Sequence, residues 1–159
     1  MNMQTKVKGI VRGGQTLKQH RDEIMTRTKQ TGHYAGLTER TLHKESPILY
    51  NKLFSRLRAG VVDARETAKK IAASPIVEQE GELCFTLYNA AGDAILTSTG
   101  IIIHVGTMGA AIKYMIENDW EGNPGINDKD IFCNNDSLIG NVHPCDIHTI
   151  VPIFHEGEL

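Results

Sequence analysis

Apolar positions along this chain change their period several times, and each change marks an element. From Ile48 and Leu49 through Leu53, Leu57 and Val61 to Ile71 they recur at three- and four-residue steps, the stripe of a core-facing helix. Ser46 stands before it as an N-cap, Pro47 suits its first turn, and Ser74-Pro75 closes it. Residues 16–31 predict a shorter, polar helix, with Thr16 as N-cap and Gly32 just past its end. Residues 83–88 and 94–98 flank Asn89-Ala90-Ala91-Gly92-Asp93, a hairpin signal. Residues 100–105 are apolar apart from His104 and read as a buried strand; residues 107–120 read as a helix that opens on small residues and ends at Trp120, a packing anchor. A Gly/Pro/Asn/Asp loop, 121–130, leads to a short strand at 131–133, and the β-branched run 148–154 predicts another. The whole reads as an α+β fold: a mixed, largely antiparallel sheet with flanking helices.

No repeat, low-complexity tract or linker divides the chain, so 1–159 is expected to form a single segment. Its end is unusual. His155-Glu156-Gly157 is turn chemistry, and Glu158-Leu159 begin a return strand. Half a hairpin leaves an apolar strand edge to be covered, so the sequence reads as the N-terminal portion of a larger subunit, inactive by itself.

The segment between the last two expected strands carries the chemistry. Asp136, His143, Asp146 and His148 fall within 13 positions, interleaved with Gly140, Asn141 and Pro144. Anionic oxygen and neutral nitrogen donors in a short irregular stretch can converge on a divalent metal, and a following strand would hold them in place. The same residues also suit a plain tight turn, since Asp and Asn cap turns. The spacing matches no short metal motif, so both readings stand. Cys145, between the donors, fits a further ligand or a free thiol. His148, two residues after Asp146 on a strand, would lie on the same side, as an added donor or an orienting partner. His104, before an expected helix start, fits acid–base chemistry or a phosphate contact, or a satisfied core histidine.

Charge narrows the partners. Residues 1–80 carry 15 Lys/Arg against 8 Asp/Glu, and residues 81–159 carry 2 against 11. The basic residues are dispersed and seldom interleaved with aromatics, which speaks against nucleic-acid binding and for a solvated face or a subunit interface. No run approaches the roughly 20 apolar residues of a membrane span, and the N-terminus lacks the apolar core of a secretory signal. Cys84, Cys133 and Cys145 form no paired motif, as expected of free thiols in a reducing cytoplasm.

Several longer stretches resemble the acetone carboxylase branch of the hydantoinase B and oxoprolinase family, in its large, metal-bearing subunits. They are GIVRGG (9–14), residues 45–93, residues 99–115 and the donor segment. In that segment the family pattern is met by Asp130-Ile131-Phe132, Asn135-Asp136, Gly140-Asn141, His143-Pro144-Cys145-Asp146, Pro152-Ile153-Phe154 and Gly157-Glu158-Leu159. The resemblance covers nearly the whole chain and about the first fifth of such a subunit. It implies that His143 and Asp146 are metal ligands, with a further histidine ligand beyond Leu159. Asn141-Val142 stand where the hydrolase members favour Gly-Gly, which leans towards the ketone carboxylases.

The resemblance also implies a reaction: ATP-dependent carboxylation of a small ketone with bicarbonate to a β-keto acid, acetone giving acetoacetate. Manganese is the expected metal, with zinc or iron compatible with the donors. No phosphate loop is recognisable here, so ATP is expected to be used by a kinase-like, hydantoinase A-type partner, alongside a small third subunit. His104 and His148 are the candidate catalytic groups. Two other readings stand beside this one: an amide hydrolase of the hydantoinase or oxoprolinase type, and a non-catalytic assembly piece that docks through the helix at 47–72 and the basic half.

Overall fold

The computed structural model describes residues 9–98, 100 and 102–159. Helix α1 (Leu17–Thr31) forms where expected: Thr16 Oγ1 accepts the Gln19 amide at 3.2 Å, and Gln19 Oε1 accepts the Thr16 amide at 3.0 Å. This reciprocal pair satisfies two amide donors at the helix start. After the one-turn helix α2 (Thr41–Glu45) comes α3 (Pro47–Ile71), the long helix. Pro47 occupies its first turn as predicted, but the Ser46 side chain makes no capping hydrogen bond. The expectation that α3 faces a core is corrected. None of its residues is buried, and Ile48 is 82% exposed. Its periodicity is real, but among the described residues α3 packs mainly against α2, strand β2 of the hairpin and the wide helical turn Ile76–Glu80.

The hairpin is β1 (Thr86–Tyr88) paired antiparallel with β2 (Ala94–Thr97). Next, the chain departs from the sequence reading. Residues 102–107 form helix α4 (Ile102–Thr107), not a strand, and α5 (Gly109–Glu117) follows after a break at Met108. The physical reason is spacing. His104, Met108, Ile112, Met115 and Ile116 recur at helical intervals and line one cavity, so the 3.6-residue period outweighs the β-branched composition of 101–105. Residues 99 and 101, part of the expected strand and its approach, lie outside the described residues.

Strand β3 (Phe132–Asn134) pairs antiparallel with β4 (His148–Ile150) in the register Phe132↔Ile150, Cys133↔Thr149, Asn134↔His148. The class is therefore α+β as expected, with two separate two-stranded antiparallel sheets in place of one larger sheet. Beyond Ile150 the run 151–154 leaves the ladder, and His155 and Glu158 form a single bridge rather than a returning strand. Leu159 turns back to donate its amide to Ile10 O at 2.9 Å.

The core gathers between α1, α5 and the second sheet: Val11, Leu17, Met115, Ile116 and Ile126 are buried, and Trp120 packs against Phe132 at 5.8 Å between ring centroids. Glu121 ties this end together, accepting the Ile10 amide at 2.9 Å and the Leu17 amide at 2.7 Å. Among the described residues no helix is long and apolar enough to cross a membrane.

Candidate metal and acid–base site

The donor segment is folded by its own polar side chains. Asp136 Oδ1 accepts the Leu138 amide at 2.8 Å, so this carboxylate caps a turn, as one of its two sequence readings had it. Asn134 Nδ2 donates to Ile139 O at 2.8 Å, and the buried Asn141 donates to Asn134 O at 3.2 Å, pinning the loop to the end of β3. Gly140 seats it. With φ at 86° and Thr107 O 2.7 Å from where a Cβ would stand, this position accepts only glycine without a shift. The loop thus lies directly on the junction of α4 and α5.

Residues 143–146 then form a tight turn. The Asp146 amide donates to His143 O at 3.1 Å, and the His143 amide donates to Asp146 Oδ2 at 2.8 Å. Pro144, at the second position, is pre-set for such a turn. The two sequence readings of this stretch therefore converge: the turn itself brings the side chains together. His143 Nδ1 lies 3.5 Å from Asp146 Oδ2. Two donors each about 2.1 Å from one cation stand roughly 3.0–3.5 Å apart, so this pair fits two adjacent positions of a coordination shell. Among the described residues no third His, Cys, Asp or Glu converges on them closely enough to complete a cluster.

His104 reaches the same carboxylate from α4, its Nδ1 3.9 Å from Asp146 Oδ2, with the side chain 18% exposed. It does so from within a helix, not from a strand end, and the helix start expected at 105–107 does not exist. The phosphate contact founded on that helix start loses its basis. His148 opens β4 and is buried, with no hydrogen-bond partner for either ring nitrogen among the described residues. Burial pushes its pKa below the ordinary histidine range, the neighbouring His104 adds to this, and Asp146 opposes it. A neutral imidazole is the form that can accept a proton or bind a cation. His148 and Asp146 line one cavity of about 810 Å³, with His104 and Cys145; Asp146 itself precedes β4. Cys145 is an exposed free thiol.

Tyr88 of β1 also lines this cavity, and the sequence reading passed over it. A lone tyrosine in a hairpin strand carries no spacing signal; only the fold brings it across from the donor segment.

Comparison with known proteins places the chain among relatives. The chain is 84% identical over 152 residues to the acetone carboxylase alpha subunit of Xanthobacter autotrophicus (strain ATCC BAA-1158 / Py2), which covers 96% of this chain and 20% of that subunit. A solved nucleotide-free acetone carboxylase structure superposes with a TM-score of 0.92 at 84% identity, over 95% of this chain and 20% of that one. The 5-oxoprolinase of Dictyostelium discoideum is 24% identical over 57% of this chain and 7% of its own length. The present chain thus spans about a fifth of the acetone carboxylase subunit it matches. The family model for hydantoinase B/oxoprolinase matches residues 46–159, which take in the second sheet and every donor described above, and the chain belongs to that family.

Proposed function

We propose that this chain supplies two metal ligands, His143 and Asp146, and two acid–base groups, His104 and His148, to an ATP-dependent carboxylation of a small ketone. The substrate class follows from the 84% identity to an acetone carboxylase subunit, against 24% for an oxoprolinase. The observation that carries the reading is the His143–Asp146 turn, its donors 3.5 Å apart beside a cavity that also holds a buried, unpartnered histidine.

Acetone is a weak carbon acid and bicarbonate a poor electrophile, so both must be activated before a carbon–carbon bond forms. Activation by ATP falls to a kinase-like, hydantoinase A-type partner, with a small third subunit completing a hetero-oligomer that works in the cytoplasm. A bound divalent cation, manganese first, with zinc or iron compatible, would supply Lewis-acid stabilisation of negative charge developing on the ketone oxygen. Asp146 holds His143 in place through the turn. His104 faces Asp146 at 3.9 Å across the cavity, near enough for a single bridging group to link them. His148, dehydrated and neutral, can accept a proton. The mainly apolar cavity wall lowers the polarity around a carbanion-like species.

In the intact subunit, His143→Ala and Asp146→Asn are expected to lose bound metal and carboxylation while assembly persists. Asp146→Asn keeps an oxygen to accept the His143 amide, so it spares the turn. Elemental analysis after gel filtration reads the outcome, and full metal occupancy in both variants would overturn the assignment.

A further inference from the structure

Resting on this function, we propose that Tyr88 is a substrate-contacting residue, its phenol donating a hydrogen bond to an oxygen of the enolate or β-keto carboxylate held in the cavity. Tyr88 ends β1 and lines the cavity that His104, Asp146 and His148 line from the other elements. Its hydroxyl is buried and, among the described residues, has no hydrogen-bond partner. A buried polar group left unpaired costs about 1–3 kcal/mol, and a phenylalanine would fill the same space without that cost. Function is the remaining reason for the oxygen.

The ring is also held in place. Gly109 opens α5 against it: a Cβ there would stand 3.2 Å from Tyr88 Cε1 and 2.8 Å from Gly92 O. A hydroxyl on a fixed ring is a pre-positioned donor, which is what stabilises developing charge without reorganisation. Burial drives its pKa above the ordinary tyrosine value, and the ionised Cys84 sulfur adds to this; the Thr86 hydroxyl, close enough to pull the other way but not in hydrogen-bonding geometry with the phenol, opposes it only in part. The phenol therefore stays protonated through the neutral range and remains a donor. Tyr88 and His148 are the two side chains of this cavity with buried polar atoms unpaired.

The test is Tyr88→Phe in the intact, metal-loaded subunit, with acetate as the probe for the carboxylate product. Thermal unfolding is expected to be unchanged or raised, since the lost oxygen has no partner in the fold. Metal content is expected to match the parent, while acetate affinity in calorimetry and kcat/KM for the ketone each fall about tenfold. Unaltered acetate binding would overturn the proposal. So would a variant that melts well below the parent or fails to fold, because the hydroxyl would then have a structural partner. His143→Ala runs alongside: if it keeps both metal and acetate, the metal assignment fails, and the comparison of Tyr88→Phe with the parent still decides the role of the phenol.

Discussion

Asp93 sits where the hairpin, α5 and the turn after α1 meet. Lys113 Nζ lies 2.7 Å from its Oδ1, Tyr34 donates to its Oδ2 at 2.8 Å, and Asn89 Nδ2 donates to the Tyr34 oxygen at 2.6 Å. Burial pushes the carboxyl upward, but the hydrogen bonds from Lys113 and Tyr34, with the charges of Lys113 and Arg21, outweigh it and hold the pKa below the ordinary value. A depressed folded-state pKa means stabilisation present above the unfolded value, about 3.9, and lost as the pH falls through the folded one. The pair is partly exposed, so its worth is modest. Asp93→Asn should cost up to about 1 kcal/mol at pH 7, and the gap to the parent should be narrower at a pH well below 3.8. Denaturant melts at both values check this; a gap undiminished in acid would assign the effect to packing instead of charge.

At the scale of elements, α1 depends on a residue far from it in sequence. Glu121 accepts the Leu17 amide at the helix start and the Ile10 amide beside it, and a carboxylate there also complements the helix dipole. Glu121→Ala leaves both donors unpaired in partly buried surroundings, a local loss of about 1–3 kcal/mol. Hydrogen exchange at Ile10 and Leu17 should accelerate by one to two orders of magnitude; unchanged exchange would show that the core contacts of Val11 and Leu17 suffice. The contrast explains what was legible. The α1 cap was readable because Thr16 and Gln19 are three residues apart and act on each other. The His143–Asp146 turn was readable for the same reason, its geometry lying inside four residues. The 102–107 helix was not, because its short apolar, β-branched run suits a strand as well as a helix, and the helical period shows only when it is read on through Met108 and Ile112 into α5. The exposure of α3 was hidden too: periodicity reports that a helix has an apolar face, not what meets it. Tyr88 became visible only when the fold placed β1 across from β4.

Across the whole molecule, Arg65 is one of the side chains that join the first half of the chain to the second. Its Nε donates to Leu83 O at 3.1 Å and its Nη2 to Gly81 O at 2.7 Å, fastening α3 to the segment that leads into the cavity wall. The proposed division of labour belongs at this scale. With ATP handled by a partner, ATP cleavage in the assembled complex should persist at least in part in His143→Ala, while ketone carboxylation is lost. Measuring AMP release against acetoacetate formation separates the two, and tight ATP binding by the intact subunit without partners would contradict the scheme. The corner between α4 and α5 has a bearing on substrate size. Gly109 lets the Tyr88 ring rest on one side of that corner, and Gly140 lets the donor loop rest on the other. Both walls of the cavity are therefore gauged from a single stretch of backbone, and neither can retreat without turning the corner that positions its opposite. In the site proposed above, moving either wall to make room would press the Tyr88 ring or the donor loop against this corner. Room in this fold is adjusted by trimming the side chains that fill the gap.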